Sequence, residues 1–299
     1  MRRIDFLGAN GIGKSTVYAR LLERRTSGGP RWYTLIEAKR KVATDRFLEH
    51  RTLKSLAKFG TCFLPRVGDL FAEVYTIRSA ENAFAEGGEC YQAFFEYCIE
   101  HLMRAARGKS GAPRIHRRAQ GHTFRAEGAR RHPLRVPDPM LTPPARPEAS
   151  SEVSPTQYLS LSRIFGRLKE LCFLESIDET VIFDESLTHT VMGLLADTPS
   201  DRSVRAHFEE IPLPDAVVYM TTTEDEVLRR IGLKQAKKGP IVRHRGLDEK
   251  QLRRQARRTL RIAAIGASTL QWRGAEVLHL DATSPPEDNA ERIEAFVAG

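Results

Sequence analysis

Short apolar runs alternate with longer segments of helical periodicity along this chain of 299 residues. The runs are apolar or β-branched throughout, which is typical of strands buried on both faces of a sheet. The predicted strands are 3–7, 33–37, 180–184, 216–221 and 276–280. The predicted helices are 16–25, 45–58, 69–85, 89–107, 158–176, 224–234, 248–273 and 286–297. Strands separated by helices predict an α/β fold with a five-stranded parallel sheet and helices on both faces.

A glycine-rich segment follows the first predicted strand and matches the pattern G-x-x-x-x-G-K-S over residues 8–15. Between a strand and a helix, such a loop wraps its backbone N–H groups around an anion, and the helix N-terminus adds partial positive charge. Lys14 then reaches the outer phosphates, and the Ser15 hydroxyl can ligate Mg²⁺. The predicted nucleoside triphosphate site consists of Gly8, Ala9, Asn10, Gly11, Ile12, Gly13, Lys14, Ser15 and Thr16.

Two predicted strands end in acidic residues at the same edge of the sheet. An apolar strand followed by Asp184 and Glu185 is the arrangement in which a carboxylate holds Mg²⁺ or its waters, so Ser15 and Asp184 are the predicted metal ligands. Glu37 closes the second predicted strand, where a carboxylate can accept the proton of an attacking hydroxyl. A solvated acid at a strand end is an equally good interpretation of Glu37.

A basic segment, 229–247, follows the fourth predicted strand. Its helix is broken by a Gly-Pro pair, and it carries Arg229, Arg243 and Arg245. A basic flap beside a phosphate site can close over the transferring group and neutralise its developing charge. We therefore predict Arg229 as a nucleotide contact and Arg243 and Arg245 as catalytic cations, with an ordinary solvated face as the alternative.

The net charge of +9 comes from one segment, because residues 104–147 contain eleven Lys and Arg but two acids. The remaining chain is neutral, which disfavours a nucleic-acid-binding face on the folded part. Segment 108–155 is rich in proline and poor in apolar residues, so we expect a solvated insertion. An RNA- or phosphate-contacting arm and a segment foreign to the fold are the alternatives.

Targeting and metal-binding signals are sparse in this sequence. The four cysteines, Cys62, Cys90, Cys98 and Cys172, form no metal-binding pair and are expected as buried thiols of a reducing compartment. No leader pattern precedes the first strand, and no apolar run approaches the ~20 residues of a membrane span. We expect a soluble cytoplasmic protein with no membrane partner, and leave a homodimer open.

The order of these features resembles that of the deoxynucleoside kinase and thymidylate kinase group of P-loop kinases. Besides the phosphate loop, the local matches are Glu37, the segments 157–163 and 183–186, Arg243 to Arg245 with Asp248 and Glu249, and residues 281–283. The resemblance implies a single domain over 1–299 with the three-layer P-loop NTPase architecture. Its folded core would be 1–107 and 156–299, with a helical substrate region and a lid at 229–247.

The resemblance also implies individual roles and one conflict. Glu37 falls where the family keeps its general base, Gln157 and Arg163 fall on the substrate-binding helix, and Asp281 falls beside adenine. The Arg that follows the acid in the family motif is Glu185 here. A carboxylate there disfavours monophosphate acceptors and favours an acceptor with an uncharged hydroxyl.

Three functions are consistent with these sequence features. The leading one is an ATP- and Mg²⁺-dependent kinase acting on a hydroxyl of a nucleoside, nucleotide or similar metabolite. The second is a P-loop ATPase with a regulatory or assembly role, which Glu185 favours because it can polarise water. RNA end modification ranks last, since the basic arm has few aromatic residues for base stacking. ATP is preferred to GTP because residues 221–225 lack the lysine of a guanine reader.

Overall fold

The structure, a computed structural model, describes residues 1–25, 32–49, 93–94, 96–98, 155–195, 200–238 and 247–299. Within these residues the strands are β1 (Arg2–Leu7), β2 (Trp32–Thr34), β3 (Thr180–Phe183), β4 (Ala216–Thr221) and β5 (Glu276–Asp281). The helices are α1 (Lys14–Glu23), α2 (Leu35–Glu49), α3 (Pro155–Leu174), α4 (Leu187–Leu194), α5 (Asp201–Glu210), α6 (Glu224–Lys238), α7 (Glu249–Trp272) and α8 (Pro286–Ala298).

The five strands form one parallel sheet in the order β2-β3-β1-β4-β5. In β1, Asp5 lies opposite Phe183 of β3, and Leu7 lies opposite Tyr219 of β4. The carboxyl ends of β1 and β3 therefore meet at one edge of the sheet. The prediction of an α/β fold with a five-stranded parallel sheet is confirmed.

Apolar side chains of the strands point alternately to two faces, each covered by helices. Ile4 and Phe6 of β1 pack with α1 and α8 on one face, whereas Leu7 packs with α2, α3, α4, α5 and α7 on the other. Because α1 follows β1 on one face and α4 follows β3 on the other, the sheet has a topological switch point between these strands. Open α/β sheets bind ligands at such a point.

The central strand β1 also carries a buried ion pair. Arg3 donates to both carboxylate oxygens of Asp5, and the guanidinium donates to the carbonyl of Pro212. The backbone N–H of Arg3 donates to Asp215 at 2.6 Å. These bonds satisfy two charges that would be costly to bury alone, and they tie the strand before the phosphate loop to the segment that enters β4.

Helix boundaries differ from the prediction in two regions. The second strand ends at Thr34 rather than at Glu37, because Leu35 begins α2. Helices α4 and α5 were not predicted, although each has a serine N-cap that marks its start. Ser186 accepts the N–H of His189, and Ser200 accepts the N–H of Ser203.

Several predictions lie outside the described residues. These are most of the predicted helical region 50–107, the insertion 108–154, and the lid residues Arg243 and Arg245. The side chain of Gln157 in α3 also lies outside what is described. Among the described cysteines, Cys98 and Cys172 are buried and are not in disulfide bonds. None of the helices in the described ranges is long and apolar enough to cross a membrane.

Candidate functional site

The glycine-rich segment forms a tight loop between β1 and α1. Gly11 and Gly13 have φ angles of 84° and 108°, a backbone conformation that side chains with a Cβ rarely adopt. The carbonyl of Gly13 accepts the N–H groups of Thr16 and Val17, which starts α1 at Lys14. The two glycines thus permit the sharp turn that carries the chain from β1 into α1, as the sequence pattern predicts for a loop that binds an anion.

Lys14 lies with its ammonium folded over the loop. Its Nζ donates to the carbonyls of Gly8 and Ala9 at 2.7 and 3.0 Å. Burial of this ammonium lowers the pKa of Lys14 to about 7, and the nearby carboxylate of Glu185 opposes the shift. An anion placed against the loop would favour the charged ammonium, so phosphate binding and Lys14 protonation reinforce each other.

The tip of β3 is held against the end of β1 by Ser186. Its hydroxyl donates to the carbonyl of Phe6 at 2.9 Å and also contacts Thr188 at 2.6 Å. Ser186 is fully buried, so these hydrogen bonds are shielded from water. They fix the preceding acids, Asp184 and Glu185, beside the phosphate loop.

A cavity of about 790 Å³ opens above the phosphate loop. It is lined by the loop and start of α1, by the acids after β3, by His189 of α4, by one face of α6 and by the segment after β5. These lining residues include Asn10, Gly11, Ile12, Gly13, Lys14, Ser15, Thr16, Asp184, Glu185, His189, Arg229, Arg230, Lys234 and residues 282–286. The structure therefore brings the predicted loop, Asp184 and Arg229 into one cavity.

Asp281 does not line this cavity. Its carboxylate accepts the N–H of Thr283 at 2.8 Å, and this backbone hydrogen bond holds the pKa of Asp281 below its usual value. Asp281 thus shapes the turn after β5, while Ala282 and Thr283 line the cavity.

The oxygen donors on the cavity wall fit a magnesium ion. Ser15 supplies a hydroxyl and Asp184 a carboxylate to the same cavity. Mg²⁺ prefers one or two protein oxygens together with waters and substrate phosphates. Within the described ranges no group of three or more His, Cys, Asp and Glu residues is placed to hold a metal.

A second, smaller cavity of about 220 Å³ adjoins the first. Five residues line both cavities and form their common wall: Asn10, Gly11, Glu185, His189 and Lys234. Beyond that wall the smaller cavity is lined by Ser160 and Arg163 of α3, Thr190 and Gly193 of α4, and Ile231 and Gln235 of α6. Arg163, predicted from sequence on the substrate side, lies in this smaller cavity.

Glu185 lies at one end of a series of charged contacts that runs through α3 to α2. Arg167 of α3 lies 3.7 Å from its carboxylate and 2.6 Å from that of Glu170, which in turn bonds Lys39 of α2 at 2.6 Å. The Glu185 side chain is 74% exposed. Its carboxylate lines both cavities. The Arg167 guanidinium lies close to it, although the residue after Asp184 is Glu185 rather than the arginine of the family motif.

Comparison with protein-family models, with curated proteins and with solved structures finds no match to this chain. The site is therefore interpreted from its own geometry, and the resemblance to P-loop kinases stays a prediction from the sequence motifs.

Glu37 occupies the first turn of α2 rather than a strand end. Its carboxylate accepts two hydrogen bonds from Arg25 at 2.8 and 2.9 Å and one from the N–H of Thr34, whose hydroxyl accepts the N–H of Glu37 in return. This reciprocal pair is a capping box. Partial burial raises the pKa of Glu37, but the hydrogen bonds from Thr34 and Arg25 outweigh it and hold the pKa below its usual value. Glu37 lines neither of the two cavities above.

Three cavity residues carry no role in the sequence prediction of the site. His189 and Lys234 line both cavities, and Arg230 lies between the phosphate loop and the segment after β5. The basic run in α6 was recognised, but it does not reveal which cation turns inward. The helical spacing of Arg230 and Lys234, four residues apart, is the signal that places both on one face.

Proposed function

We propose that this protein is a kinase that transfers the γ-phosphoryl group of ATP to a hydroxyl of a small molecule. The observation that carries the proposal is the pair of adjoining cavities, one built on a phosphate-binding loop and the other on polar side chains. A transferase needs a donor and an acceptor side by side, and a bare nucleotide site does not need the second cavity. We infer the P-loop NTPase type of α/β domain on the same grounds.

In this proposal the phosphate donor, ATP, binds at the glycine-rich loop. Its amides and Lys14 hold the phosphates, while Arg229 and the segment 282–286, which line the same cavity, contact the nucleoside half of ATP. Ser15 and Asp184 would hold Mg²⁺, which when bound neutralises phosphate charge during transfer. Little covalent work is left to the protein, so positioning and electrostatics account for most of its catalysis.

The acceptor side is the smaller cavity. An acceptor hydroxyl there attacks the γ-phosphorus, a new P–O bond forms, the bond to the bridging oxygen breaks, and ADP leaves. The hydroxyl proton departs to a carboxylate or to water. Glu185 is the carboxylate on the common wall and can accept a hydrogen bond from that hydroxyl, whereas Glu37 is already engaged by Arg25 and Thr34.

The test is a screen of nucleosides, nucleotides and sugars for stimulation of ADP formation from Mg·ATP. The kinase proposal predicts that at least one class raises ADP formation and yields a phosphorylated product by mass spectrometry. Lys14→Ala is the matched control, because it removes the phosphate-binding ammonium and should abolish the stimulated rate. Equal ADP formation with every acceptor and with none would contradict the proposal.

A second candidate is an ATPase without a small-molecule acceptor, favoured by the exposed Glu185 carboxylate beside Lys14. Such a carboxylate can orient a water toward the γ-phosphate. This candidate predicts acceptor-independent hydrolysis that falls roughly hundredfold or more in Glu185→Gln, measured as phosphate release. Hydrolysis that stays at the wild-type rate in this variant would remove it.

A further inference from the structure

Arg230 of α6 connects three separate parts of the chain. One amino group of its guanidinium donates to the carbonyl of Ile12 in the phosphate loop, and the other donates to the carbonyl of Ala282 after β5 at 2.6 Å. Its Nε donates to Glu226, one turn earlier in the same helix. All donor nitrogens of the guanidinium are thus engaged, and none of these contacts needs a ligand.

Both carbonyls that Arg230 contacts belong to segments that line the larger cavity. Ile12 belongs to the loop proposed to hold phosphates, and Ala282 begins the segment proposed to face the nucleoside. The guanidinium also lies close to the loop backbone, since a Cβ added to Gly13 would lie 2.6 Å from its Nη1. One side chain thus holds these two segments side by side.

The two contacts of Arg230 with the carbonyls of Ile12 and Ala282, called the clamp from here on, are oriented by Glu226. Its carboxylate receives Arg230 and, through two further hydrogen bonds of 2.7 Å, Arg229. Hydrogen bonds from Arg229 and Arg230 lower the pKa of Glu226 to about 2, so this carboxylate is charged throughout the neutral range. Because the charged Glu226 carboxylate accepts Nε of Arg230, the planar guanidinium keeps the orientation in which its two amino groups reach the carbonyls of Ile12 and Ala282.

We propose that Arg230 is a positioning residue that fixes the distance between the phosphate loop and the segment 282–286, so that nucleotide affinity depends on it. This inference rests on the proposed function in so far as the cavity binds a nucleotide. A guanidinium is required because one flat group must donate to two carbonyls at once. A lysine ammonium can reach one carbonyl but does not reproduce the rigid fork.

The test compares Arg230→Met and Arg230→Lys with the wild type. The matched control is Arg257→Met, because Arg257 also ties an acid at the start of α6, Glu224, yet lies 73% exposed and joins neither loop. The first measurement is amide hydrogen exchange of the full chain without nucleotide. Faster exchange confined to residues 11–15 and 282–284 in Arg230→Met, with partial rescue in Arg230→Lys, is expected.

The second measurement is Mg·ATP affinity by calorimetry. We expect a loss of roughly tenfold or more in Arg230→Met, a smaller loss in Arg230→Lys and none in Arg257→Met. Wild-type exchange in both loops of Arg230→Met would overturn the clamp, as would exchange that rises uniformly over the sheet. If wild-type protein binds no Mg·ATP, the proposed function fails, while the exchange result still decides the clamp.

Discussion

Two neighbouring strands, β2 and β3, are each followed by acidic residues, yet the two groups of acids have opposite surroundings. Both carboxylate oxygens of Glu37, after β2, accept hydrogen bonds from Nη1 of Arg25, the carboxylate also closes a capping box, and Glu37 lines neither described cavity. Asp184 and Glu185 after β3 face the larger cavity, and the Glu185 side chain is nearly twice as exposed as that of Glu37. A position after a strand does not by itself identify a carboxylate that can bind a ligand. The two strand ends differ in how far the carboxylate oxygens are already hydrogen-bonded to the protein.

The largest expected effect is at Asp184. Asp184→Asn keeps the shape but removes the charge that would hold Mg²⁺, so turnover of Mg·ATP should fall roughly hundredfold or more. The thermal midpoint should stay close to that of the wild type, because the hydrogen bond that Asp184 accepts within the described residues is local, from the N–H of Glu185. Steady-state ADP formation and thermal denaturation check the two parts, and full activity in Asp184→Asn would remove the distinction between the strand ends.

The matched substitution at the other strand end is Glu37→Gln. It breaks the pair with Arg25 and weakens the capping box, so the free energy of unfolding should fall by about 1–2 kcal/mol. Turnover should remain within roughly twofold of the wild type if proton transfer does not depend on this carboxylate. Denaturant titration and ADP formation measure both quantities. Unchanged stability with a large loss of turnover would instead support Glu37 as the general base.

A smaller effect is expected at Arg167, whose guanidinium lies 3.7 Å from the Glu185 carboxylate. Arg167→Met removes this charge, so the orientation of the carboxylate should broaden and turnover should fall by roughly two- to tenfold. Because the same change breaks the pair with Glu170, Lys39→Met serves as the control that disturbs Glu170 alone. Equal losses in both variants would assign the effect to Glu170 rather than to Glu185.

The smallest effect is in the pH dependence of stability. The folded-state pKa of Glu37 is lowered, so its contribution is present above the unfolded pKa, about 4.3, and is lost as pH falls through the folded value. The difference in unfolding free energy between wild type and Glu37→Gln should therefore be full at pH 6 and shrink toward pH 3. Denaturant titrations at both pH values measure it, and a difference that grows on acidification would reverse the assignment.

The sheet and the glycine turn after β1 could be predicted because both depend on local sequence, while phosphate binding by that turn stays a prediction. Buried parallel strands are short apolar runs, and the loop pattern specifies its own backbone through its glycines. The same locality explains one error. Thr34 to Glu37 has the T-x-x-E spacing of a capping box, but the apolar residues between them made the segment resemble the end of a strand.

Other features depend on contacts between distant residues and could not be predicted. The clamp joins Arg230 to Ile12, which precedes it by 218 positions. The second cavity arises where α3, α4 and α6 meet the phosphate loop, and no single segment encodes it. Helices α4 and α5 are different, because their signals were present in the sequence: each begins with a serine N-cap, and in α5 the buried residues Val204 and Phe208 lie one turn apart.

The central claim, that the two adjoining cavities make this protein a phosphotransferase, is tested most directly by product stoichiometry. ADP and inorganic phosphate are measured in the same reaction of purified protein with Mg·ATP and a pool of hydroxyl compounds. Transfer predicts more ADP than free phosphate, with the difference recovered as phosphorylated acceptor and lost in Lys14→Ala. Equal amounts of ADP and phosphate under all acceptors would show hydrolysis alone and contradict the account.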